Sequence, residues 1–345
     1  MTRILLLSAY RSDSHAAWAD WLQNHVEGIE WTVRELPGRH FAWRIRGNPL
    51  SWLDDIPAQA PDRVLATSMV DLATLRGIHP QLAAVPTIYY FHENQLAYPV
   101  SHNQVRSIEH AIVQIYGALA ADELLFNSDY NRQTFLEGAD RFADQMPDRA
   151  PRDLGDRLAP KCRVLPVPIE PVPAAENRDR RLIVWNHRWE YDKRPELFAE
   201  AVCRLAEEGV DFRLALLGKR PRKTPTALSR LRQNLGERII ADGLLPRADY
   251  RTLLGGAGIV VSTAVHEFQG LSMLEAVSAG AIPVVPDALC YPEQYPEPFR
   301  YPADDVEGLV SRLRDVLADT RIDAPDVSRW TSRKLTQGWR NVLIA

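Results

Sequence analysis

Cysteine is scarce in this sequence of 345 residues. The three cysteines, Cys162, Cys203 and Cys290, are scattered and form neither a C-x-x-C pair nor a zinc-ligand spacing. This pattern argues against a disulfide scaffold or a structural zinc site and favours a reduced, cytoplasmic setting. Lysine is also rare, and the formal net charge of -4 argues against a uniformly basic nucleic-acid-binding protein.

Long hydrophobic runs are missing as well. No stretch reaches the roughly 18 apolar residues that a transmembrane helix needs. The short apolar run near the N-terminus has no clear cleavage site after it, so it predicts a buried strand and not a signal peptide. The composition, with 46% hydrophobic and 25% charged residues, is that of a globular protein long enough for two domains.

Glycine-rich phosphate motifs are absent too. The glycine cluster at 255–258 precedes a predicted strand, whereas a dinucleotide fingerprint follows one, and the chain contains no P-loop. A dehydrogenase is therefore not expected. No D-x-D-like metal pair is expected to be needed either.

What the sequence does contain is a regular alternation of strand-like and helix-like segments, which predicts parallel sheets covered by helices on both faces. In the first half the predicted strands are Ile4–Leu7, Val64–Thr67, Thr87–Phe91, Glu123–Asn127 and Cys162–Val167, and helices include Ser14–Asn24 and Asn103–Ala121. In the second half the predicted strands are Leu182–Trp185, Phe212–Leu217, Arg238–Ala241, Gly258–Ser262 and Ile282–Val285, and the helices are Pro195–Glu208, Thr226–Leu235, Arg247–Leu254 and Leu271–Ala279.

A proline-rich stretch separates the two halves. Pro166, Pro168, Pro171 and Pro173 cannot lie in a helix interior or a central strand. We therefore predict a Rossmann-like domain over residues 1–170, a second over 171–327, and a terminal segment over 328–345 that packs back toward the first domain. Two such domains would face each other across a cleft at the carboxyl ends of their strands.

The most informative segment runs from His266 to Val285 and places two acids eight positions apart across a strand-to-helix turn. Glu267 lies in the turn, where the free N–H groups of a helix start favour an anion. Glu275 lies farther along the predicted helix. This arrangement fits a sugar nucleotide laid lengthwise in a groove.

A second polar segment, 187–195, follows the first strand of the second domain. Arg188 and Lys193 could stabilise a diphosphate whose charge builds up as it departs. Pro195 suits the first turn of the following helix. The alternative is a solvated loop in which Arg188 pairs with Glu190 or Asp192.

Polar groups also follow strands of the first domain. His92 lies where the strand Thr87–Phe91 ends, and Asn127 and Ser128 end a further strand. In the first strand-to-helix loop, Ser12, Ser14 and His15 could cap the helix or reach a phosphate.

Two basic stretches are candidates for contact with nucleic acid. The segment 36–46 interleaves arginines with aromatic residues, a mixture that suits phosphate contact and base stacking. The alternative is a surface strand with arginine stems lying along it. The second stretch, 219–223, together with Arg230 and Arg232, could add phosphate contacts.

The segment 267–285 resembles the signature of the family-4 retaining glycosyltransferases, which have the double-Rossmann GT-B fold. The matching residues are Glu267, Gly270, Leu271, Leu274, Glu275, Ala276, Gly280, Pro283, Val284 and Val285. The family usually has glycine after the first glutamate, where this chain has Phe268. The segment 187–194 is similar to the family's Gly-Arg…Lys-Gly element, with His187 and Arg194 in place of the glycines.

Several segments together resemble a narrower family, the tRNA-queuosine α-mannosyltransferases. They are 36–46, 90–100, 126–128, 160–162, 187–193 and His266-Glu267-Phe268, of which Phe91-His92-Glu93-Asn94-Gln95 is the most specific. Vertebrate members carry a long insertion between the domains that this chain lacks. The resemblance implies transfer of mannose from GDP-mannose to the cyclopentenediol of queuosine in tRNA. Retention without an assignable nucleophile favours a same-face displacement, and Arg188 and Lys193 would do the work of a divalent ion.

The resemblance and the residue pattern together assign three groups of candidate residues. Catalytic roles are predicted for Arg188, Lys193, Glu267 and His92. Donor binding is predicted for Glu275, Phe268, Gln269, Gly270, Leu271, Ser12 and His15. Acceptor binding is predicted for Glu93, Asn94, Gln95, Arg39, His40, Trp43, Arg44, Arg46 and Asn127.

Two other functions fit the same fold. The acceptor could be a glycan, a lipid or a small metabolite. Alternatively, the chain could be a nucleotide- or RNA-binding module that has lost catalysis, although the presence of Glu267, Glu275, Arg188 and Lys193 argues against this.

Overall fold

The computed structural model describes residues 1–98, 108–319 and 321–344. The chain divides into two compact units: Met1–Pro168 with Leu335–Ala345, and Ile169–Lys334. The division lies within the proline-rich stretch. Pro99 and Val100, which belong to the queuosine-family motif, and the start of the helix predicted at Asn103–Ala121 lie outside the described residues.

The first unit contains a sheet of six parallel strands in the order β2-β1-β3-β4-β5-β6. The central strands are buried along most of their length because helices cover both faces. The strands are β1 (Thr2–Arg11), β2 (Ile29–Pro37), β3 (Arg63–Thr67), β4 (Thr87–Phe91), β5 (Glu123–Phe126) and β6 (Cys162–Val164). The helices are α1 (Asp13–His25), α2 (Phe41–Ser51), α3 (Leu72–Ile78), α4 (Glu109–Ala120), α5 (Asp129–Asp144) and α6 (Leu154–Leu158).

The second unit contains another parallel six-stranded sheet, in the order β12-β11-β10-β7-β8-β9. Counted from its own first strand, this is the Rossmann order 3-2-1-4-5-6, which reverses direction between β7 and β10. The strands are β7 (Asp179–Trp185), β8 (Arg213–Leu216), β9 (Ile239–Asp242), β10 (Ala257–Val261), β11 (Ile282–Pro286) and β12 (Arg300–Tyr301). The helices are α7 (Pro195–Glu207), α8 (Thr226–Leu235), α9 (Arg247–Gly256), α10 (Leu271–Ser278), α11 (Tyr291–Gln294) and α12 (Val306–Ala318).

The final helix, α13 (Ser332–Ile344), starts four residues later than the predicted segment at 328. Residues Ser328–Trp330 form a 3-10 turn instead, and Thr331 pairs with Ile169 in an isolated parallel bridge. From 335 onward the helix belongs to the first unit, where the Trp339 indole N–H donates to the Pro166 carbonyl at 3.1 Å.

Candidate active site

The loops that follow β7 and β10 meet in the second unit at the point where the strand order reverses. In open α/β sheets this is the usual place for a ligand, because the chain leaves a crevice between the two diverging loops. The Thr263 hydroxyl, after β10, donates to the Lys193 carbonyl at 2.7 Å. The Val265 N–H donates to the Asp192 carbonyl at 2.8 Å.

Lys193 lies at the centre of this site and is almost fully buried. Its ammonium donates to the His266 carbonyl at 2.5 Å and to Glu267 Oε2 at 3.3 Å. It also pairs with Asp192 Oδ2 at 3.2 Å. Burial alone would lower the pKa of Lys193, but Glu267 and Asp192 outweigh it and raise the pKa, so the charge is kept.

Glu267 is the acidic partner of Lys193 at this site. Its Oε1 accepts the backbone N–H groups of Phe268 at 3.1 Å and Gln269 at 3.4 Å, and the Gly270 N–H also bonds to the carboxylate. Burial acts to raise the pKa of Glu267, but the charge of Lys193 and the backbone donors lower it to about 2. Glu267 is therefore an ionised acid at neutral pH.

Two buried histidines flank the ion pair. Burial, followed by the nearby charge of Lys193, lowers the pKa of both His187 and His266 to about 4. The His187 Nε2 is buried without a hydrogen-bond partner among the described residues. The His266 ring meets the Phe268 ring edge to face at 4.7 Å. Phe268 thus turns its side chain into the second unit, where it is 4% exposed.

Arg188 is exposed at the rim and pairs with Glu190 at 3.4 Å. The ion pair that the sequence left open is therefore present with Glu190, whereas Asp192 pairs with Lys193 instead. An exposed pair of this kind contributes little to stability, so Arg188 can exchange Glu190 for another anion at small cost.

Gly218, which the sequence reading did not single out, supports the loop that carries Arg188. Its φ of 90° is in the left-handed region, and a Cβ there would lie 2.0 Å from the His187 carbonyl oxygen. The Trp189 N–H donates to the Lys219 carbonyl at 3.0 Å, and the indole N–H donates to the Leu217 carbonyl at 2.9 Å. The chain after β8 therefore packs closely against this loop and supports it through hydrogen bonds.

The helix α10 begins beside Glu267. Gly270 precedes it with φ 64°, and its carbonyl accepts the first N–H groups of the helix, from Met273 and Leu274 at 3.0 Å. The N–H groups of Leu271 and Ser272 precede these bonds and are the natural donors for an anion. Gln269 is buried, and its carbonyl accepts from the Gln294 amide at 2.6 Å.

Glu275 lies one turn into α10, next to a small polar network. The Tyr250 hydroxyl approaches Glu275 Oε2 at 3.5 Å, and the Asn186 amide donates to the Tyr250 hydroxyl and to the Ser272 carbonyl, both at 3.0 Å. Burial raises the pKa of Glu275, with Arg247 and Arg251 opposing the rise. Asn186 and Tyr250 were missed in the sequence because a single Asn and a helical Tyr carry no motif.

In the first unit, His92 follows β4 and contacts three aromatic rings. Trp18 and Tyr90 meet it edge to face at 4.7 Å each, and His15 does so at 4.1 Å. Burial and then His15 lower the pKa of His92 well below its usual value, so the ring is neutral. Its Nε2 has no hydrogen-bond partner within the described part of the chain.

Ser12 and His15 contact each other. The expectation that the Ser12 side chain caps α1 is wrong: Ser12 stands at the cap position, but its hydroxyl makes no cap bond and lies 2.8 Å from His15 Nδ1. The Ser12 carbonyl accepts the Ala16 N–H at 2.8 Å, which is the first backbone hydrogen bond of the helix. His15 is 6% exposed, and a contact of either residue with the donor stays a prediction.

Asparagine side chains shape the loop after His92. The Asn127 amide donates to the His92 carbonyl, the Asn131 amide donates to Asn127 Oδ1, and the Asn94 amide donates to Asn131 Oδ1, each at 2.8 Å. Asn94 is fully buried, and its Oδ1 accepts the Ala97 N–H, so it stabilises the loop by a hydrogen bond to the loop backbone. Glu93 and Gln95 are partly buried and bond to each other at 3.2 Å.

Residues 41–46 of the basic–aromatic segment form the first half of α2, whereas Leu36 and Pro37 end the edge strand β2. The alternative of a surface strand is therefore wrong for residues 41–46. A proline inside the helix is tolerated because the Asn48 amide donates to the Ile45 carbonyl, which the N–H of Pro49 would otherwise have bonded. Arg46 pairs with Asp71 at 2.6 Å. Among the candidate acceptor-binding residues of the segment, Arg39, His40, Trp43 and Arg46 are exposed, and Arg44 is partly buried.

The described residues contain no group of three or more His, Cys, Asp or Glu side chains arranged to hold a metal ion. They also contain no helix with the length and apolar character needed to cross a membrane.

Solved structures with low sequence identity share this fold. The lipopolysaccharide outer core galactosyltransferase WaaB has a TM-score of 0.67 at 12% identity, covering 99% of this chain and 98% of that one. Anabaena HepE in complex with UDP-glucose has a TM-score of 0.67 at 14% identity, covering 100% and 98%. Sucrose-phosphate synthase from Thermosynechococcus elongatus has a TM-score of 0.68 at 14% identity, covering 100% and 94%.

Similarity at the level of sequence is more specific. The model of the N-terminal region of tRNA-queuosine alpha-mannosyltransferases matches residues 3–169, and the model of group 1 glycosyl transferases matches residues 180–319. The tRNA-queuosine alpha-mannosyltransferase of Drosophila melanogaster is 37% identical over 313 residues, which cover 86% of this chain and 83% of that protein. The chain is therefore a glycosyltransferase with an α/β GT-B fold, and it belongs to the tRNA-queuosine alpha-mannosyltransferase family.

Proposed function

We propose that the chain is a retaining glycosyltransferase that moves mannose from GDP-mannose to the cyclopentenediol of queuosine in tRNA. The observation that carries the proposal is the ion pair between the buried Lys193 and the partly buried Glu267 at the strand-order reversal, beside Arg188. The family of the N-terminal region supports the acceptor, since the relative that shares it is named for queuosine in tRNA.

The donor nucleotide lies along α10 in this proposal. Glu275 binds the ribose diol, Arg188 and the N–H of Leu271 bind the diphosphate, and Glu267 holds sugar hydroxyls. Charge from Arg188 and Lys193 stabilises the departing diphosphate, which is the part of the reaction where negative charge develops. On this view the reaction needs no metal ion and no cofactor beyond the sugar nucleotide.

The transfer itself is proposed as a same-face displacement. The bond between the anomeric carbon and the phosphate oxygen breaks through an oxocarbenium-like state. The acceptor hydroxyl forms the new bond on the same face, and its proton passes to the leaving phosphate oxygen. A double displacement would need a nucleophilic carboxylate near the anomeric carbon, and no residue is assigned to that role.

His92 serves as a neutral hydrogen-bonding group for a sugar or acceptor hydroxyl. Its low pKa keeps it uncharged, so it can orient a hydroxyl without attracting the diphosphate. Glu93, Gln95 and the exposed residues of the segment 39–46 contact the tRNA. Because the acceptor is tRNA and all three cysteines are free thiols, we place the reaction in the cytoplasm.

One experiment tests the proposal. The protein is incubated with GDP-mannose and queuosine-containing tRNA, the tRNA is digested, and the nucleosides are weighed by mass spectrometry. The expected result is queuosine heavier by one hexose, and tRNA without queuosine is the control. Unchanged queuosine together with hexose on an added glycan, lipid or metabolite would replace this acceptor. Binding of GDP-mannose without any transfer would indicate a module that has lost catalysis.

A further inference from the structure

Asp192 is a buried acid with no role in the mechanism above. It lies in the turn Tyr191–Lys193 and is 2% exposed. Neither carboxylate oxygen has a hydrogen-bond partner among the described residues. The compensation that the structure provides is the Lys193 ammonium, 3.2 Å from Oδ2. A buried carboxylate with so little hydrogen bonding is costly, so its retention calls for a reason.

Three oxygens already surround the ammonium of Lys193. It donates to the His266 carbonyl and to Glu267, and Asp192 Oδ2 lies 3.2 Å away in an ion pair without hydrogen-bond geometry. A diphosphate at the start of α10 that approaches Lys193 therefore competes with these oxygens. The carbonyl of His266 is fixed by the backbone, and Glu267 is held by the N–H groups of its own turn. Because neither oxygen of Asp192 has a hydrogen bond, its contact with Lys193 is the one most easily displaced.

The charges also do not balance. One buried ammonium faces the buried carboxylate of Asp192 and the partly buried carboxylate of Glu267, so the group of Lys193, Glu267 and Asp192 has a formal charge of -1. An arriving diphosphate adds negative charge to this group. Asp192 therefore weakens the attraction between Lys193 and a diphosphate, and it does so from a buried position where screening by water is small.

We propose that Asp192 competes with the nucleoside diphosphate for Lys193 and thereby promotes release of the diphosphate product. This inference rests on the proposed function, because it takes the site at Lys193 and α10 as the donor site. In the free protein Asp192 holds the ammonium, and the diphosphate takes over that contact when it binds. When the diphosphate leaves, Asp192 recaptures the ammonium, so it acts through Lys193 and is a positioning residue.

A purely structural role for Asp192 makes the opposite prediction. Removing one partner of a buried one-to-one ion pair is strongly destabilising. Here, however, removing Asp192 leaves Lys193 and Glu267 as a balanced pair. We therefore expect Asp192→Asn to melt at the same temperature as the wild type or higher, and to bind the product more tightly.

The experiment measures GDP binding to the full chain by calorimetry, together with thermal unfolding and steady-state transfer. For Asp192→Asn we expect GDP affinity to rise about tenfold, and kcat and the KM for the donor to fall together. The matched control is Glu196→Gln, which removes one negative charge from the exposed first turn of α7 and should leave GDP affinity unchanged.

The outcomes separate the two proposals. GDP affinity that stays equal or falls in Asp192→Asn, with a lower melting temperature, would overturn the role of Asp192 and leave the donor site intact. Failure of the wild type to bind GDP would overturn the donor assignment itself. If Asp192→Asn does not fold, Asp192→Ala is measured in the same way, and failure of both to fold would mean that Asp192 is structural.

Discussion

The rings of His15 and His92 lie 4.1 Å apart between centroids and meet edge to face at 71°. Protonation of either imidazole is unfavourable there, because burial lowers the pKa of both rings. The neighbouring His15 lowers the pKa of His92 further. Burial also lowers the pKa of His187 and His266 in the second unit. Both units thus keep neutral histidines at their candidate sites.

Stability should therefore fall on mild acidification. The pKa of His15, His187 and His266 is about 4 in the folded chain, against about 6.5 when unfolded. As the pH drops below 6.5 the unfolded chain takes up protons that the folded chain does not, so each histidine costs up to about 3 kcal/mol by pH 4. Glu267, with its pKa of about 2, adds a loss only below about pH 4.5.

Urea unfolding at pH 7 and pH 5 measures this effect. His15→Gln should flatten the pH dependence of the first unit, because it removes one histidine whose pKa is lowered by burial. A pH dependence equal to that of the wild type in His15→Gln would show that another group titrates.

Substitution of Lys193 and substitution of Glu267 should lower the free energy of unfolding by different amounts. Lys193→Ala removes the counter-charge of the buried Asp192 and the partly buried Glu267 and should lower the free energy of unfolding by about 3–5 kcal/mol. Glu267→Gln leaves Lys193 paired with Asp192, so the free energy of unfolding should fall by less than in Lys193→Ala. It should still abolish most transfer, because the proposed contact of Glu267 with the sugar hydroxyls is lost. Chemical denaturation and the transfer assay on both variants check this, and equal destabilisation would contradict the shared ion pair.

Arg188→Ala should separate activity from stability. The side chain is exposed and its ion pair with Glu190 is weak, so the free energy of unfolding should change by no more than about 0.5 kcal/mol. Transfer should fall by about two orders of magnitude or more, because charge on the leaving diphosphate loses its stabilising cation. Glu190→Gln is the control and should keep turnover near the wild-type value.

Gly218→Ala should impair transfer by moving the loop that carries Arg188. The added Cβ would collide with the His187 carbonyl, and that collision cannot be relieved by a side-chain rotation. Gly209→Ala is the matched control: its φ of 77° gives a similar backbone strain, but its Cβ meets nothing within 4 Å. Gly218→Ala should transfer more slowly than Gly209→Ala although both lose some stability. Equal transfer kinetics would argue that Gly218 does not support the loop of Arg188.

Trp43 should contribute to tRNA affinity. It is 54% exposed near the start of α2, next to Arg39 and His40, where an aromatic face can stack on a base. Trp43→Ala should weaken tRNA binding about tenfold and leave GDP binding unchanged. Leu50→Ala, at an apolar position of the same helix that is 63% exposed, should change neither affinity. Filter binding at fixed salt measures the tRNA affinity of both variants, and calorimetry measures their GDP affinity.

Most sheet strands and the acidic turn were predictable because apolar runs and a spaced motif are local signals. The edge strands β2 and β12 were not predicted, because the polar alternation of β2 gives a weak apolar signal and β12 has only two residues. The helix α2 was open to a strand interpretation, since Pro49 argues against a helix and the rescue by Asn48 depends on folded geometry. The sequence leaves both Glu190 and Asp192 open as partners of Arg188 in a solvated loop, because spacing along the chain does not say which way a side chain turns.

The asparagines after His92 carry a final consequence. Each amide has one donating and one accepting end, so the bonds from Asn94 to Asn131 to Asn127 all point the same way. Reversing one amide, or replacing it with an acid, breaks its neighbour's bond as well. Among relatives these three positions should therefore vary as a set, and their covariation would record the direction of the hydrogen bonds beneath His92.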